Sequence, residues 1–386
     1  ERADDLGTTP MRLAVQSGRA RMVQAFLRAG ADPRGVREGQ TPLIVIAFER
    51  GHAHVARALL EHEAGLDHVK ARLPALLARA AAGGDAPMAK LLLQSGVDVT
   101  GVNQAGSTPL HEAANAAMAR LLLQHGADPA AGDQRGRTPL MRAAADGRSP
   151  VVDALLQTDC RIHAASHDGI TALEYAARTG ATRAIELLIA AGARVNTTAA
   201  LDHAAANGQA EAVTALLNNG ARLDTGHSWP MRSAVEGNHE DVAMALLKAG
   251  GRADIVVGWE QTTLLHWAVK RNNYDLVRWL VYDDAVNVNA RDRFQRTPLH
   301  EARDERIVRL LLQGGAKVGL RELGRGWSPL HGAAARGDLP LVRALVEAGS
   351  DPRMSTSSGQ TPLGLARHHG HARVAAYLAR RPNDRE

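Results

Sequence analysis

The chain has 386 residues, with apolar residues at 45% but aromatic residues at only 3%, so its core must be built from Leu, Ala, Val and Ile. Its formal charge of +5 comes from 46 Lys and Arg against 41 Asp and Glu spread along the chain, which argues against nucleic-acid binding. No run of about 18 apolar residues occurs, so no membrane span is expected, and Cys160, the single cysteine, excludes an intrachain disulfide and a thiolate metal cluster.

In chain order, a Thr-Pro-Leu-like start recurs at Thr9, Thr41, Ala75, Thr108, Thr138, Thr171, Ala199, Trp229, Thr263, Thr297, Ser328 and Thr361, at spacings of 28 to 34 residues. In TPLHEAA at 108–114, Thr108 suits a helix cap and Pro109 the first helical position, where no N–H is needed. Leu110, Ala113 and Ala114 then give a small apolar face that lets neighbouring helices approach closely. RLLLQ at 120–124 predicts a second helix, and Gly126 in HGAD ends it in a left-handed conformation. The same ending returns as RAGAD at 28–32, QSGVD at 94–98 and EAGSD at 347–351. Short polar segments, such as GDQRGR at 132–137 and RDRFQR at 291–296, separate one unit from the next.

Twelve units of about 33 residues carrying T-P-L-H-x-A resemble the ankyrin repeat. The resemblance implies an all-α solenoid of helix-turn-helix units with β-hairpin fingers between them. It spans 1–386 as a single domain, with 1–40 as the N-terminal capping repeat and 355–386 as the C-terminal capping repeat and polar tail. Each unit buries its apolar face only by stacking on its neighbours.

Two stretches, TPLHEAANAAMARLLLQHGA and TPLHEARDERIVRLLLQGGA, agree at 13 of 20 positions. In both, the turn between the helices is lost and Gly126 and Gly315 arrive three residues early. Three residues are close to one helical turn, so the leucine face of the second helix keeps nearly its direction. The shortened units should leave a notch in the edge carrying the helix–helix turns and alter the curvature near Asn115 and Asp304. Neutral drift in two units is the alternative.

Few residues suggest chemistry. His111, His266, His300 and His331 occupy the fourth place of TPLH, where the ankyrin resemblance implies a structural bond to neighbouring backbone. GHAH at 51–54, with His62 and His68, and HHGH at 368–371 lack the ligand spacing of a zinc site. Cys160 stands where a unit normally has a small Ala, so a buried structural side chain is expected. No phosphate loop, nucleophile elbow or paired-carboxylate arrangement occurs, so neither an enzyme nor a bound cofactor or metal is expected.

Eight of the twelve aromatic residues fall between Trp229 and Trp327, including all five tryptophans. The resemblance implies a concave, partner-facing surface made of finger tips and the exposed side of each first helix. Its phase puts Trp259 on one finger, and Trp267, Lys270 and Arg271 on the following helix. Arg293, Phe294 and Arg296 form the next finger, and Arg325 and Trp327 the one after. Trp and Arg are enriched at binding hot spots, so these nine are the candidate partner contacts. The alternative is that the rings fill gaps between irregular repeats. Trp229 and Trp279 are read as structural. Arg37, Glu38, Phe48, Gln134, Arg135 and Arg137 are secondary candidates.

The function expected is protein binding by a monomer, with an acidic patch on the partner. A bacterial inhibitor or immunity protein that clamps a toxin or secreted enzyme leads. An adaptor or regulator inside the cell, and a secreted effector that sequesters a host protein, are the alternatives. Glu1 in place of Met is compatible with a removed signal peptide, so cytoplasm and periplasm both stay open.

Overall fold

The computed structural model describes residues 9–34, 41–62, 73–197, 199–223 and 230–380. Trp229, Arg37, Glu38 and His68 lie outside the described residues. The chain clusters into two compact units, one made of Glu1–Ala204 with Asn218–Ala221, the other of Ala205–Leu217 with Arg222–Glu386.

The first unit is a succession of short helix pairs: Pro10–Gln16 with Ala20–Arg28, Leu43–Glu49 with Ala53–Glu61, and Leu73–Gly83 with Ala86–Gln94. After Ala116–Gln124 come Pro139–Ala145 with Ser149–Leu156, and Ala172–Thr179 with Thr182–Ala190. In the second unit Pro230–Glu236 pairs with Glu240–Lys248, Leu264–Lys270 with Tyr274–Val281, and Pro298–Glu301 with Glu305–Gln313. Pro329–Arg336 with Leu339–Glu347 and Pro362–His368 with Ala372–Ala379 complete it.

The threonines do what their position predicts. Thr9, Thr138, Thr171, Thr263 and Thr361 each accept a backbone N–H from the first turn of the helix that follows. The alanine pairs one turn later, Ala143–Ala144, Ala176–Ala177 and Ala333–Ala334, are fully buried. With the leucines and valines of the second helices they make a core of small aliphatic side chains, which is why so few aromatics are needed.

In six units the fourth residue ties the unit to the next. The Nδ1 of His111 accepts the Thr108 N–H at 3.1 Å, so the proton sits on Nε2, which donates to the carbonyl of Arg137 at 2.8 Å. His266 reaches the Arg296 carbonyl, His300 that of Trp327 and His331 that of Gln360 in the same way. Other residue types fill the place by other chemistry. Arg12 donates to the Thr41 carbonyl at 2.6 and 2.9 Å. Glu174 accepts from the Thr171 N–H at 2.7 Å and from the Ala199 N–H at 2.8 Å.

The two shortened units have shortened first helices. After Thr108 only a hydrogen-bonded turn remains before Ala116–Gln124, and after Thr297 the helix is the four-residue Pro298–Glu301. A lost turn leaves carbonyls without helical partners, and an arginine from the following unit supplies the donors. Arg148 donates to the Ala113 carbonyl at 2.6 Å and the His111 carbonyl at 2.9 Å. Arg336 donates to the Ala302 carbonyl at 3.3 Å. Both guanidiniums have their pKa lowered, first by burial.

Arg148→Ala is therefore expected to lower stability by about 2 kcal/mol, since two buried carbonyls lose a charged donor. Arg336→Ala, with one longer bond, should cost clearly less. Urea unfolding of the two variants checks the order; an equal loss in both would separate the strap from the missing turn.

Candidate interaction surface

The fingers are mostly hydrogen-bonded turns. Among the described residues one finger forms short strands, Val256–Val257 against Thr262–Thr263 in antiparallel register. In the fingers at 133–137 and 292–296 an aspartate organises the turn. Asp292 accepts the N–H groups of Phe294 and Arg296 at 2.9 and 2.8 Å, and Asp133 does the same for Arg135 and Arg137. Neighbouring fingers are tied edge to edge: the Arg293 N–H donates to the Glu260 carbonyl at 2.8 Å, and the Leu323 N–H to that of Phe294 at 2.7 Å.

That tie aligns a continuous row in the second unit. Trp259 is 66% exposed and meets Phe294 edge to face at 5.9 Å between ring centroids. Arg293 lies over the Trp259 ring at 5.5 Å, Arg296 over Phe294 at 5.0 Å and Arg325 over Trp327 at 5.0 Å. Leu323, 66% exposed, extends the row onto the third finger. Sequence reasoning missed it because a lone leucine in a polar finger carries no signal of its own.

Two of these tips hold an unusual backbone. Gln261 and Gln295 adopt φ of 56° and 59°, where other fingers place Gly106, Gly136, Gly169 and Gly359. A β-carbon in the left-handed region is disfavoured, and residues held there cluster at functional sites. Gln261 lies two residues from the exposed Trp259, and Gln295 follows the half-buried Phe294.

The structure divides the nine candidates. Trp259, Arg293, Phe294 and Arg325 belong to the row, with Phe294 half-buried and the other three exposed. Lys270 is exposed on its helix, and Arg271 is exposed but paired with Glu240 at 3.0 Å. Arg296 is saturated: it pairs with Asp292 and Glu301 at 2.7 Å and with Glu260 at 3.4 Å. It organises the finger and offers no uncompensated charge. Trp327 is half-buried, with its indole nitrogen enclosed and unpartnered.

Trp267 does not face solvent. Its ring is 8% exposed and its N–H reaches Asn238 Oδ1 at 3.4 Å, in the helix turn of the preceding unit. Four residues after the Thr, a ring this large spans the gap to the neighbouring unit and is covered by it. Phe48 is likewise buried, not a surface contact. Among the secondary candidates, Gln134 and Arg135 are exposed, while Arg137 pairs with Asp133 at 2.7 Å.

Three histidines that follow a turn glycine or asparagine are engaged by backbone of the preceding unit. His52 lies 3.2 Å from the Gln16 carbonyl, His239 3.1 Å from that of Ala206 and His371 3.0 Å from that of Ala335. A β-carbon at Gly208, φ +73°, would stand 2.6 Å from the His239 ring, so this turn requires glycine. Among the described residues no three His, Cys, Asp or Glu side chains stand close enough to hold a metal ion. No described helix is long and apolar enough to cross a membrane. Cys160 is half-buried, and burial pushes its thiol pKa up, away from the thiolate that reactivity requires.

Comparison with known proteins agrees with this architecture. The family model for ankyrin repeats matches residues 1–72, 76–166, 159–227, 201–292, 230–322 and 299–385. Similar curated proteins include the tyrosine-protein kinase Shark of Drosophila melanogaster, 33% identical over 38% of this chain and 16% of the kinase. The B-cell lymphoma 3 protein homolog of Mus musculus is 36% identical over 35% of this chain and 31% of its own length. Ankyrin repeat domain-containing protein 63 of Mus musculus is 35% identical over 29% of this chain, again 31% of its own. The chain thus spans less than a third of each of these relatives. From its start to its last helix pair, this chain belongs to the ankyrin-repeat family.

Proposed function

We propose that the chain is a non-enzymatic protein-binding scaffold, and that its principal contact surface is the finger-tip row of the second unit. The observation that carries this reading is Trp259, a tryptophan left 66% exposed between Phe294 and Arg293 on fingers held in register by backbone bonds. Exposed apolar area of this kind is retained where a partner covers it. Because the rings are already braced, little side-chain freedom is lost on docking. Arg293 and Arg325, the two arginines of the row without a carboxylate partner within ion-pair distance among the described residues, favour a partner with acidic groups opposite them.

The finer roles divide differently. A pre-organised row suits occlusion of an enzyme by an inhibitor or immunity protein. The relatives described above are eukaryotic proteins of which the repeats form a part, and they lend that role no support. The docking role common to inhibitor, adaptor and effector is therefore the reading we put forward, with the protein acting as a monomer.

Trp259→Ala tests it. Losing an anchoring ring is expected to weaken partner binding by about 2 kcal/mol, roughly 30-fold. The melting temperature should hold, because the ring is exposed. The measurement is affinity of wild type and variant for the protein captured by wild type, with melting followed on the same samples. Equal affinity in folded variant would move the contact surface off this row.

A further inference from the structure

A groove of about 690 Å³ opens in the second unit between two second helices, Glu240–Lys248 and Tyr274–Val281, on residues other than those of the finger row. Asp241, Met244 and Lys248 line it from the first helix, and Asp275, Arg278 and Trp279 from the second, with Tyr282 and Asp283 at the end of the second. The three- and four-residue spacings put each set on one helix face. The volume lies in the range of small-ligand and side-chain pockets.

Three observations specify what fits. The first is the state of the rings. Trp259, Tyr274, Phe294, Trp327 and Tyr377 each carry an arginine of this chain over the ring. Among the described residues no such contact is made to Trp279 or Tyr282, and Tyr282 is 65% exposed. The second is the charge of the rim. Glu240 is taken by Arg271 and Asn273, but Asp241, Asp275 and Asp283 form no ion pair among the described residues. Among the described residues no three carboxylates here are placed to hold a metal ion, and the rings beside them suit an organic cation.

The third is a departure of the chain from its own pattern. Where other second helices end in Lys248–Ala249–Gly250, Gln313–Gly314–Gly315 or Glu347–Ala348–Gly349, this one ends in Tyr282–Asp283–Asp284. Gly250, Gly315 and Gly349 take the left-handed conformation that closes those helices. Here Asp284 stands in the place of the closing glycine, as Asp159 does after Ser149–Leu156, and it is preceded by an exposed ring, Tyr282, and a second carboxylate, Asp283.

We propose that this groove binds a cationic side chain of a partner protein, arginine above all. The guanidinium plane can stack on Tyr282 and Trp279 while its edge donates to Asp275 and Asp283. Lys248 and Arg278 stand on the same rim and set a charge preference along the peptide that carries it: a carboxylate one or two residues from the arginine is accommodated. The site is independent of the finger row.

The probe is a fluorescently labelled pentapeptide with two arginines among glycines, followed by polarisation, against the same peptide with glutamate for arginine. The arginine peptide is expected to bind and the glutamate peptide not to. Tyr282→Ala should weaken binding about threefold or more, and Asp275→Asn with Asp283→Asn about tenfold, with unchanged melting. Trp259→Ala should leave this affinity unchanged, while it tests the finger row through the captured protein. The proposal is overturned if the arginine peptide fails to bind, or if the glutamate peptide binds equally. It is also overturned if folded Tyr282→Ala binds as wild type does, or if Trp259→Ala lowers peptide affinity as much as Tyr282→Ala.

Discussion

Replacing Trp267 with alanine is expected to destabilise the second unit by about 3–5 kcal/mol, the range for removing a buried tryptophan. The ring is 8% exposed and reaches Asn238 in the preceding unit, so its removal opens a cavity at a junction between repeats. A repeat array has no separate core to compensate, because each unit buries its face only against its neighbours. Trp267→Phe should recover most of the loss, since it keeps the ring and gives up only one long hydrogen bond. Trp259→Ala, by contrast, should melt like wild type. Circular dichroism melts of the three variants check this directly. If Trp267→Ala melts with wild type, the ring does not hold the junction, and the partner role expected from its position in the repeat reopens. In either outcome, affinity losses in Trp267 variants have meaning only at temperatures where the unit is folded.

The repeat was legible because its physics is local. Caps, closing glycines and alanine faces are dictated by position within one unit, so Thr138, Gly126 or Ala143 could be placed from the sequence by spacing alone. The shortened first helices were legible for the same reason, as three residues missing from a fixed period. What spacing does not carry is side-chain length. Trp267 and Lys270 share a predicted face, but the indole is long enough to reach Asn238 and be covered, while Lys270 stays in solvent. Arg296 and Arg293 sit three residues apart in one finger, yet Arg296 meets three carboxylates, two of them from outside its own turn. The arginine strap was hidden differently. Arg148 lies 35 residues from the carbonyl of Ala113, in the place after the turn glycine or asparagine where His52, His239 and His371 also reach back to the preceding unit. There it serves two carbonyls of a shortened unit. A missing turn implies orphaned carbonyls, so the place to search is the helix–helix turn of the next unit, where Arg148 caps a second helix and Arg336 ends a first one.

Acidification should destabilise the second unit from about pH 6.5 downward. Burial holds the imidazoles of His266, His300 and His331 below their ordinary pKa, that of His300 down to about 4. Each is needed neutral: Nδ1 must accept the N–H of Thr263, Thr297 or Ser328 while the Nε2 proton bridges to the next unit. A proton added at Nδ1 would displace the bond from that N–H and leave only the adjacent Thr or Ser hydroxyl oxygen, 2.8–2.9 Å away, to accept it. The unfolded chain, with ordinary histidines near 6.5, takes up more protons than the folded one below that pH. The stabilisation from neutral histidine is therefore complete above about pH 6.5 and is lost progressively as pH falls towards 4. For His300 alone the displacement from 6.5 to about 4 corresponds to roughly 3 kcal/mol, and His266 and His331 act in the same direction. Asp254 and Asp304, held below the ordinary carboxylate pKa chiefly by bonds to Arg252 and Arg306, add their losses only at lower pH. Glu322, pushed up by burial, works in the opposite sense. His300→Gln separates these contributions, because an amide keeps one acceptor and one donor at that place but does not titrate. Urea midpoints between about pH 7.5 and 4.5 should fall steeply for wild type and less steeply for the variant. Parallel slopes for the two proteins would mean that the acid sensitivity arises elsewhere than at the bridge from His300 to Trp327.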